Sequence, residues 1–209
     1  MREKLRELRY IPYLLSHPIN GFWELKREKR GSLFTAMVIL AVYILLTVLS
    51  QFMTAYIFNP QDVLEINVPL LILPVVGLYL LWCVSSWCLT SLFDGEGSFY
   101  DICVATSYSL IPAVIGNVVM ILLSHCLTLN EASLYSMIGT LTTVWFVFML
   151  FIGTMVTQQY TFGKTILICL CTLLGMCIMV YIALLFINLL QQMCGFAEGL
   201  YKEWQLRIN

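Results

Sequence analysis

The sequence predicts an all-α integral membrane protein, a bundle of five transmembrane helices with interfacial amphipathic helices at the N- and C-termini. Hydrophobic residues make up 60% of the 209-residue chain and charged residues only 11%, whereas an ordinary soluble domain has about 25% charged residues. The mean hydropathy is +0.88. Five apolar stretches follow one another, each long enough to cross a hydrocarbon core of roughly 30 Å as a helix. This composition excludes a soluble domain and a disordered chain, and the net charge of −1 argues against nucleic-acid binding.

The predicted organisation has three parts. A basic interfacial lead covers residues 1–32, a five-helix transmembrane domain covers 33–192, and an amphipathic tail covers 193–209. The predicted spans are 33–58, 68–93, 102–123, 134–156 and 165–190. Polar and turn-forming residues separate the spans, and the connections are too short to hold a soluble domain.

The distribution of Lys and Arg predicts the orientation in the membrane. Eight of the eleven cations precede residue 31, and only Lys164, Lys202 and Arg207 follow. Because cytoplasmic segments carry an excess of Lys and Arg, we expect a cytoplasmic N-terminus. Five spans then place the C-terminus outside the cytoplasm.

Both ends of the chain have amphipathic patterns that are typical of interfacial helices. Near the start, Pro12 is expected to end or bend a first helix, and Asn20 to cap a second one. The apolar stripe of the first helix consists of Leu5, Leu8, Ile11 and Leu15. In the tail, Phe196, Leu200 and Trp204 recur every four residues.

A cluster of cations lies directly before the first span and has two interpretations. It is a determinant of topology that touches anionic lipid headgroups, or a docking surface for a cytoplasmic partner. Its members are Lys26, Arg27, Lys29 and Arg30.

The acidic, glycine-rich loop between the second and third spans also has two interpretations. Asp94 and Glu96 are candidate contacts for a partner or a cation. The structural interpretation is favoured, because glycines supply turn conformations and Ser98 with Asp101 matches the capping box that starts a helix.

The five predicted spans contain no Asp, Glu, Lys, Arg or His. Intramembrane ionisable residues mark proton relays and ion paths, so a coupled pump is disfavoured, while a passive carrier stays open. The two histidines, His17 and His125, lie on opposite predicted sides of the membrane, and neither has a partner for catalysis or metal binding. We therefore predict no enzyme, no catalytic residue, no cofactor and no metal.

The second and third spans are the most polar. Pro69, Pro74 and Pro112 are expected to kink them. The two spans either pack together at the centre of the bundle through small and hydroxyl residues or line a polar cavity. The candidate lining residues are Tyr108, Ser109 and Asn117.

Eight cysteines are present, six of them inside predicted spans, where cysteine behaves as a small buried hydrophobe. Cys126 and Cys194 lie near the outer surface. A disulfide between them requires the ends of the third and fifth spans to be neighbours, and free thiols are the expected state.

Three short motifs resemble the Yip (Ypt-interacting protein) membrane-domain family. They are His17-Pro18 with Gly21-Phe22-Trp23, then Leu92 to Phe99 (LFDGEGSF), then Tyr108 to Pro112 (YSLIP). Eukaryotic members of that family are adaptors that bind prenylated Rab-type GTPases through a long cytosolic region. About thirty residues precede the first predicted span here, so the chain is more similar to the compact bacterial-type members.

The resemblance implies a multi-pass protein of the bacterial cytoplasmic membrane. The leading functional hypothesis is a non-catalytic scaffold or accessory subunit that binds another integral membrane protein, such as a transporter complex or a trafficking partner. Membrane lipids are the second expected partner, through anionic headgroups at the basic lead. The alternative hypothesis is a passive carrier or channel for a small polar solute, lined by the second and third spans.

Overall fold

A computed structural model describes residues 11–27, 32–55 and 67–208. Within these ranges the chain is helical and contains no strand. The α-helices are α1 Ile11–Ser16, α2 Pro18–Arg27, α3 Leu33–Met53, α4 Val68–Thr90, α5 Phe99–Ser109, α6 Ile111–Ser124, α7 Ala132–Gln158 and α8 Phe162–Ile208, with a 3₁₀ turn at Leu129–Glu131. Leu5, Leu8, Lys29 and Arg30 lie outside the described residues.

In the part of the chain that the structure describes, five helical segments are long and apolar enough to cross a membrane, which confirms the predicted all-α bundle. Their membrane-compatible ranges are Leu33–Met53, Val68–Thr90, Phe99–Ser124, Ala132–Gln158 and Phe162–Gly199. The third range includes both α5 and α6, which are interrupted at Leu110, just before Pro112. This break confirms the expected effect of Pro112, whose ring cannot continue the hydrogen-bond ladder.

Local signals explain where several helices begin. Ser32 accepts a hydrogen bond from the Thr35 amide and starts α3, and the predicted capping box of Ser98 and Asp101 is present at the start of α5. The expected cap at Asn20 is wrong. Helix α2 already begins at Pro18, because the fixed φ of proline suits the first helical turn.

Pro69 and Pro74 occupy different positions in α4. Pro69 belongs to the first turn of α4 and does not interrupt that helix. The helix that Pro12 was expected to end or bend begins among residues that lie outside the described part of the chain. Pro74 is inside α4.

Helix α5 lies at the centre of the bundle, in contact with α3, α4 and α7. Every residue from 104 to 112 is buried. The hydroxyl of Tyr79 donates to the Cys103 carbonyl on α5, and the hydroxyl of Ser109 donates to the Met149 carbonyl on α7. Such bonds join helices in lipid, where the hydrophobic effect does not.

The second predicted span packs chiefly against the fifth. The Ser85 hydroxyl of α4 donates to the Thr172 carbonyl of α8 at 2.8 Å, and Gly175 lets the two backbones approach. Helix α4 also contacts α5, but α5 alone holds the central position.

Helix α2 is docked on one end of the bundle. Phe22 and Leu25 are buried together with Leu14 of α1 in the main apolar core. Phe22 also packs beside Gly153 of α7. We call this end, where α2, the loop 91–98 and the turn 159–161 meet, the proximal end; the opposite end, where the Ala55 amide donates to the Ser124 hydroxyl, is the distal end.

Helix α8 continues without a break through the predicted tail. It has 47 residues and is therefore about 70 Å long at 1.5 Å per residue. Gly195 and Gly199 do not interrupt it, because no proline or left-handed cap follows either of them. The tail is thus an extension of the fifth span and not a separate helix.

Candidate functional site at the proximal end

The loop 91–98 is clasped by one buried side chain. Gln158, the last residue of α7, is 2% exposed. Its Oε1 accepts a hydrogen bond from the Gly97 amide at 3.0 Å, and its Nε2 donates to the Thr90 hydroxyl at 3.1 Å. One amide group therefore connects the end of α4, the loop and the end of α7. We call this arrangement the Gln158 clasp.

Close approach within the clasp requires glycine in the loop. A side chain at Gly95 would collide with the Tyr160 hydroxyl and with Gln158, and one at Gly97 would come within 2.9 Å of the Gln158 amide group. Asp94, just before Gly95, has a left-handed backbone conformation with φ of 52°, which Asp tolerates better than most residues.

Two residues of the α7–α8 connection complete the packing around the loop. The Lys164 ammonium donates to the Phe93 carbonyl and lies 4.8 Å from the centre of the Tyr160 ring, a cation–π distance. Burial, reinforced by the negative charge of Asp94, raises the pKa of Tyr160. Tyr160 is therefore a neutral phenol at physiological pH.

A cavity of about 490 Å³ opens beside the clasp, between α2, α5 and the end of α7. We call it the α2 cavity. It combines an apolar floor with polar walls. The floor consists of Phe22, Leu25, Val104 and Ala105, and the walls of Lys26, Ser98, Tyr100, Asp101 and Thr157.

Lys26 is the cation of the α2 cavity. Its ammonium nitrogen is buried and forms no hydrogen bond with any described residue. It lies 3.6 Å from a carboxylate oxygen of Glu96, whose side chain is 62% exposed. The neighbouring cation, Arg27, is instead exposed and lies 5.3 Å from the centre of the Trp23 ring.

Two further cavities lie deeper in the bundle. A gap of about 10 Å³ shares Ala105 and Thr157 with the α2 cavity and is large enough for about one water molecule. A central cavity of about 350 Å³ shares Trp82 and Thr106 with this gap and has a mostly apolar lining. The three cavities thus form a series from the proximal surface to the middle of the bundle.

The structure brings together some of the predicted site residues and separates others. Lys26 and Glu96 form an ion pair, and Asp94 is exposed beside them in sequence. Cys126 and Cys194 are free, exposed thiols.

The candidate lining residues do not line these three cavities. Tyr108 and Ser109 are fully buried in helix contacts, and Asn117 is half-buried on α6.

Sequence reasoning missed Gln158, Tyr160 and Lys164 as parts of this site and interpreted them as a connector. The available signal was a polar residue at the end of an apolar span, on the same side of the membrane as the glycine-rich loop. Thr157, which lines the α2 cavity, carries no such signal, because a hydroxyl residue inside a span usually bonds to its own helix.

Removing the clasp should loosen the loop without unfolding the bundle. In Gln158→Ala the Gly97 amide loses its buried acceptor, and leaving such a group unsatisfied costs about 1–3 kcal/mol. We expect the amides of the loop 91–98 to exchange hydrogen with solvent faster in detergent micelles. Gln191→Ala, an exposed glutamine of α8, is the matched control and should leave exchange unchanged; equal exchange in both variants would contradict the role of the clasp.

Comparison with known proteins agrees with the motifs and the fold. The model of the Yip1 domain matches residues 13–185, which includes α2, all five spans up to the distal part of α8, and the whole Gln158 clasp. Searches of curated proteins and of solved structures found no match. With five membrane-compatible helices and a family match over most of its length, the chain is a multi-pass membrane protein that belongs to the Yip1 domain family.

Proposed function

We propose that this protein is a non-catalytic membrane adaptor that binds another integral membrane protein along helix α8. The observation that carries the proposal is the length and exposure of α8. From residue 180 onward every described side chain of this helix is exposed, and no other described helix covers it.

The exposed face of α8 has two parts that favour a membrane-embedded partner. Starting from Phe162, a hydrocarbon core of roughly 30 Å is crossed within about 20–25 residues, so the segment 180–187 lies within lipid. Met193, Phe196 and Trp204 lie beyond that length and are 62%, 70% and 65% exposed. An occupant that covers both parts needs a transmembrane helix and a segment outside the membrane.

This surface is better suited to a partner than the acidic loop 94–101, whose Asp94 and Glu96 are the candidate contacts predicted from the sequence. Within the loop, Gly97 bonds to Gln158, Glu96 pairs with Lys26 and Asp101 caps α5. Gly97, Glu96 and Asp101 therefore already have partners inside the chain, whereas Asp94 is exposed.

The alternative function, a passive carrier for a polar solute, is less well supported. The polar residues proposed to line its path lie outside the three cavities, and the deepest of the three has a mostly apolar lining.

We further propose that the proximal end faces the cytoplasm. Lys26, Arg27 and Lys164 lie there, which agrees with the excess of cations in cytoplasmic segments.

The orientation can be tested with the native cysteines. Cys126 follows the distal end of α6, and Cys194 follows residue 190, where the predicted fifth span ends. Both thiols are exposed, and we expect a membrane-impermeant maleimide to label them in intact spheroplasts. The other six cysteines lie inside the predicted spans, so the double variant Cys126→Ser/Cys194→Ser is the control and should lose the label. Labelling that appears only after permeabilisation would show that the distal end faces the cytoplasm, which is the opposite orientation.

The adaptor proposal can be tested by purification of the full chain from its native membrane in a mild detergent. We expect one multi-pass protein to copurify in a near-equal amount. Met193→Ala/Phe196→Ala should reduce that amount about tenfold, because buried apolar contacts of this size contribute more than 1.4 kcal/mol.

Gln191→Ala/Glu198→Ala, two exposed positions on the opposite side of α8 from Met193 and Phe196, is the matched control and should retain the partner. Recovery of the chain alone, or as an oligomer of its own copies, would contradict the proposal. If both double variants retain the partner equally, α8 is not the contact surface.

A further inference from the structure

The α2 cavity lies at the depth of a membrane interface. Ser98 and Asp101 belong to the first turn of α5, and Thr157 is the penultimate residue of α7. Because these positions mark the ends of two spans, the cavity is at headgroup level, with its apolar floor toward the bundle. An occupant should therefore be amphiphilic, with a polar group at Lys26 and an apolar part against Phe22 and Leu25.

The buried ammonium of Lys26 indicates which polar group belongs there. Lysine side chains near a membrane surface ordinarily extend so that the ammonium reaches water. Here the side chain is only 16% exposed, and the ammonium makes no hydrogen bond with a described residue. Its ion pair with Glu96, at 3.6 Å, is longer than a charge-assisted hydrogen bond of 2.7–2.9 Å. An anionic oxygen in the cavity would use the donors that Lys26 offers.

The carboxylate of Asp101, which lines the same cavity as the Lys26 ammonium, restricts the class of ligand. Both hydrogen bonds that the Asp101 carboxylate accepts from described residues come from Ser98 and reach the same oxygen, Oδ2. The other oxygen, Oδ1, keeps its capacity to accept. A ligand with net negative charge would be repelled by this carboxylate. A ligand with both a phosphate and an amine would place the phosphate at Lys26 and the amine at Asp101.

We propose that the α2 cavity binds the headgroup of a zwitterionic phospholipid, with the phosphate at Lys26 and the amine at Asp101. The apolar floor of Phe22, Leu25 and Val104 then contacts the glycerol and the first methylene groups. The α2 cavity lies at the opposite end of the bundle from the proposed contact surface on α8. Disproof of one proposal would therefore leave the other intact.

The proposal can be tested with the full chain in nanodiscs that contain equal parts of phosphatidylethanolamine, phosphatidylcholine and phosphatidylglycerol. Native mass spectrometry after release from the disc reports the retained lipid. We expect one zwitterionic lipid per chain, and a decrease of about tenfold in Lys26→Gln, the loss expected for one charge-assisted hydrogen bond. Arg27→Gln is the matched control, an exposed cation one residue away that does not line the cavity, and should retain the lipid.

A second variant tests the role of the carboxylate and keeps the proposal testable if Lys26→Gln does not fold. Asp101→Asn retains an acceptor for the capping box but removes the negative charge, so retention should shift toward phosphatidylglycerol. Three results would overturn the proposal: preferential retention of phosphatidylglycerol by the unmodified chain, equal retention in Lys26→Gln and Arg27→Gln, or no retained lipid. Displacement of the lipid by soluble phosphoethanolamine would show that the cavity binds a free metabolite, and this result would also overturn the lipid proposal.

Discussion

The two hydrogen bonds of the buried Gln158 side chain fix the geometry of the proximal end, and the rest of that end depends on them. An amide group with both a donor and an acceptor can satisfy two different chain segments at once. Gln158 bonds to Thr90 at the end of α4 and to Gly97 before α5. Because both partners are buried, the alternative to these bonds is an unsatisfied polar group, not a hydrated one.

The Gln158 clasp determines where α5 begins. The start of α5 in turn forms one wall of the α2 cavity. The capping box that starts α5 is one residue after Gly97, so the clasp sets where the central helix enters the bundle. Thr157, next to Gln158, and Asp101, in the first turn of α5, are both walls of the cavity. The exposed surface of α8 has a separate origin, since it extends from the distal end.

The sequence was sufficient for the five spans, because lipid leaves no partner for an unpaired backbone group and a spanning segment must therefore be helical. It was also sufficient for the Ser98–Asp101 capping box, whose two residues are three positions apart. It could not predict the clasp, because Gln158 is 61 and 68 residues from its two partners. The burial of Tyr108 and Ser109, and the docking of Phe22 beside Gly153, depend in the same way on which helices are neighbours. The uninterrupted α8 was missed because the amphipathic pattern of Phe196, Leu200 and Trp204 was interpreted as a separate interfacial helix.

The most direct test of this account is a double-mutant cycle between Gln158 and Thr90. The free energy of unfolding in detergent would be measured for Gln158→Ala, for Thr90→Ala and for the double variant. If the side chains bond as described, the two single changes are not additive, and their coupling is about 1 kcal/mol. Additive effects of the two substitutions would show that Gln158 does not bond to the end of α4, and the account of the proximal end would be wrong.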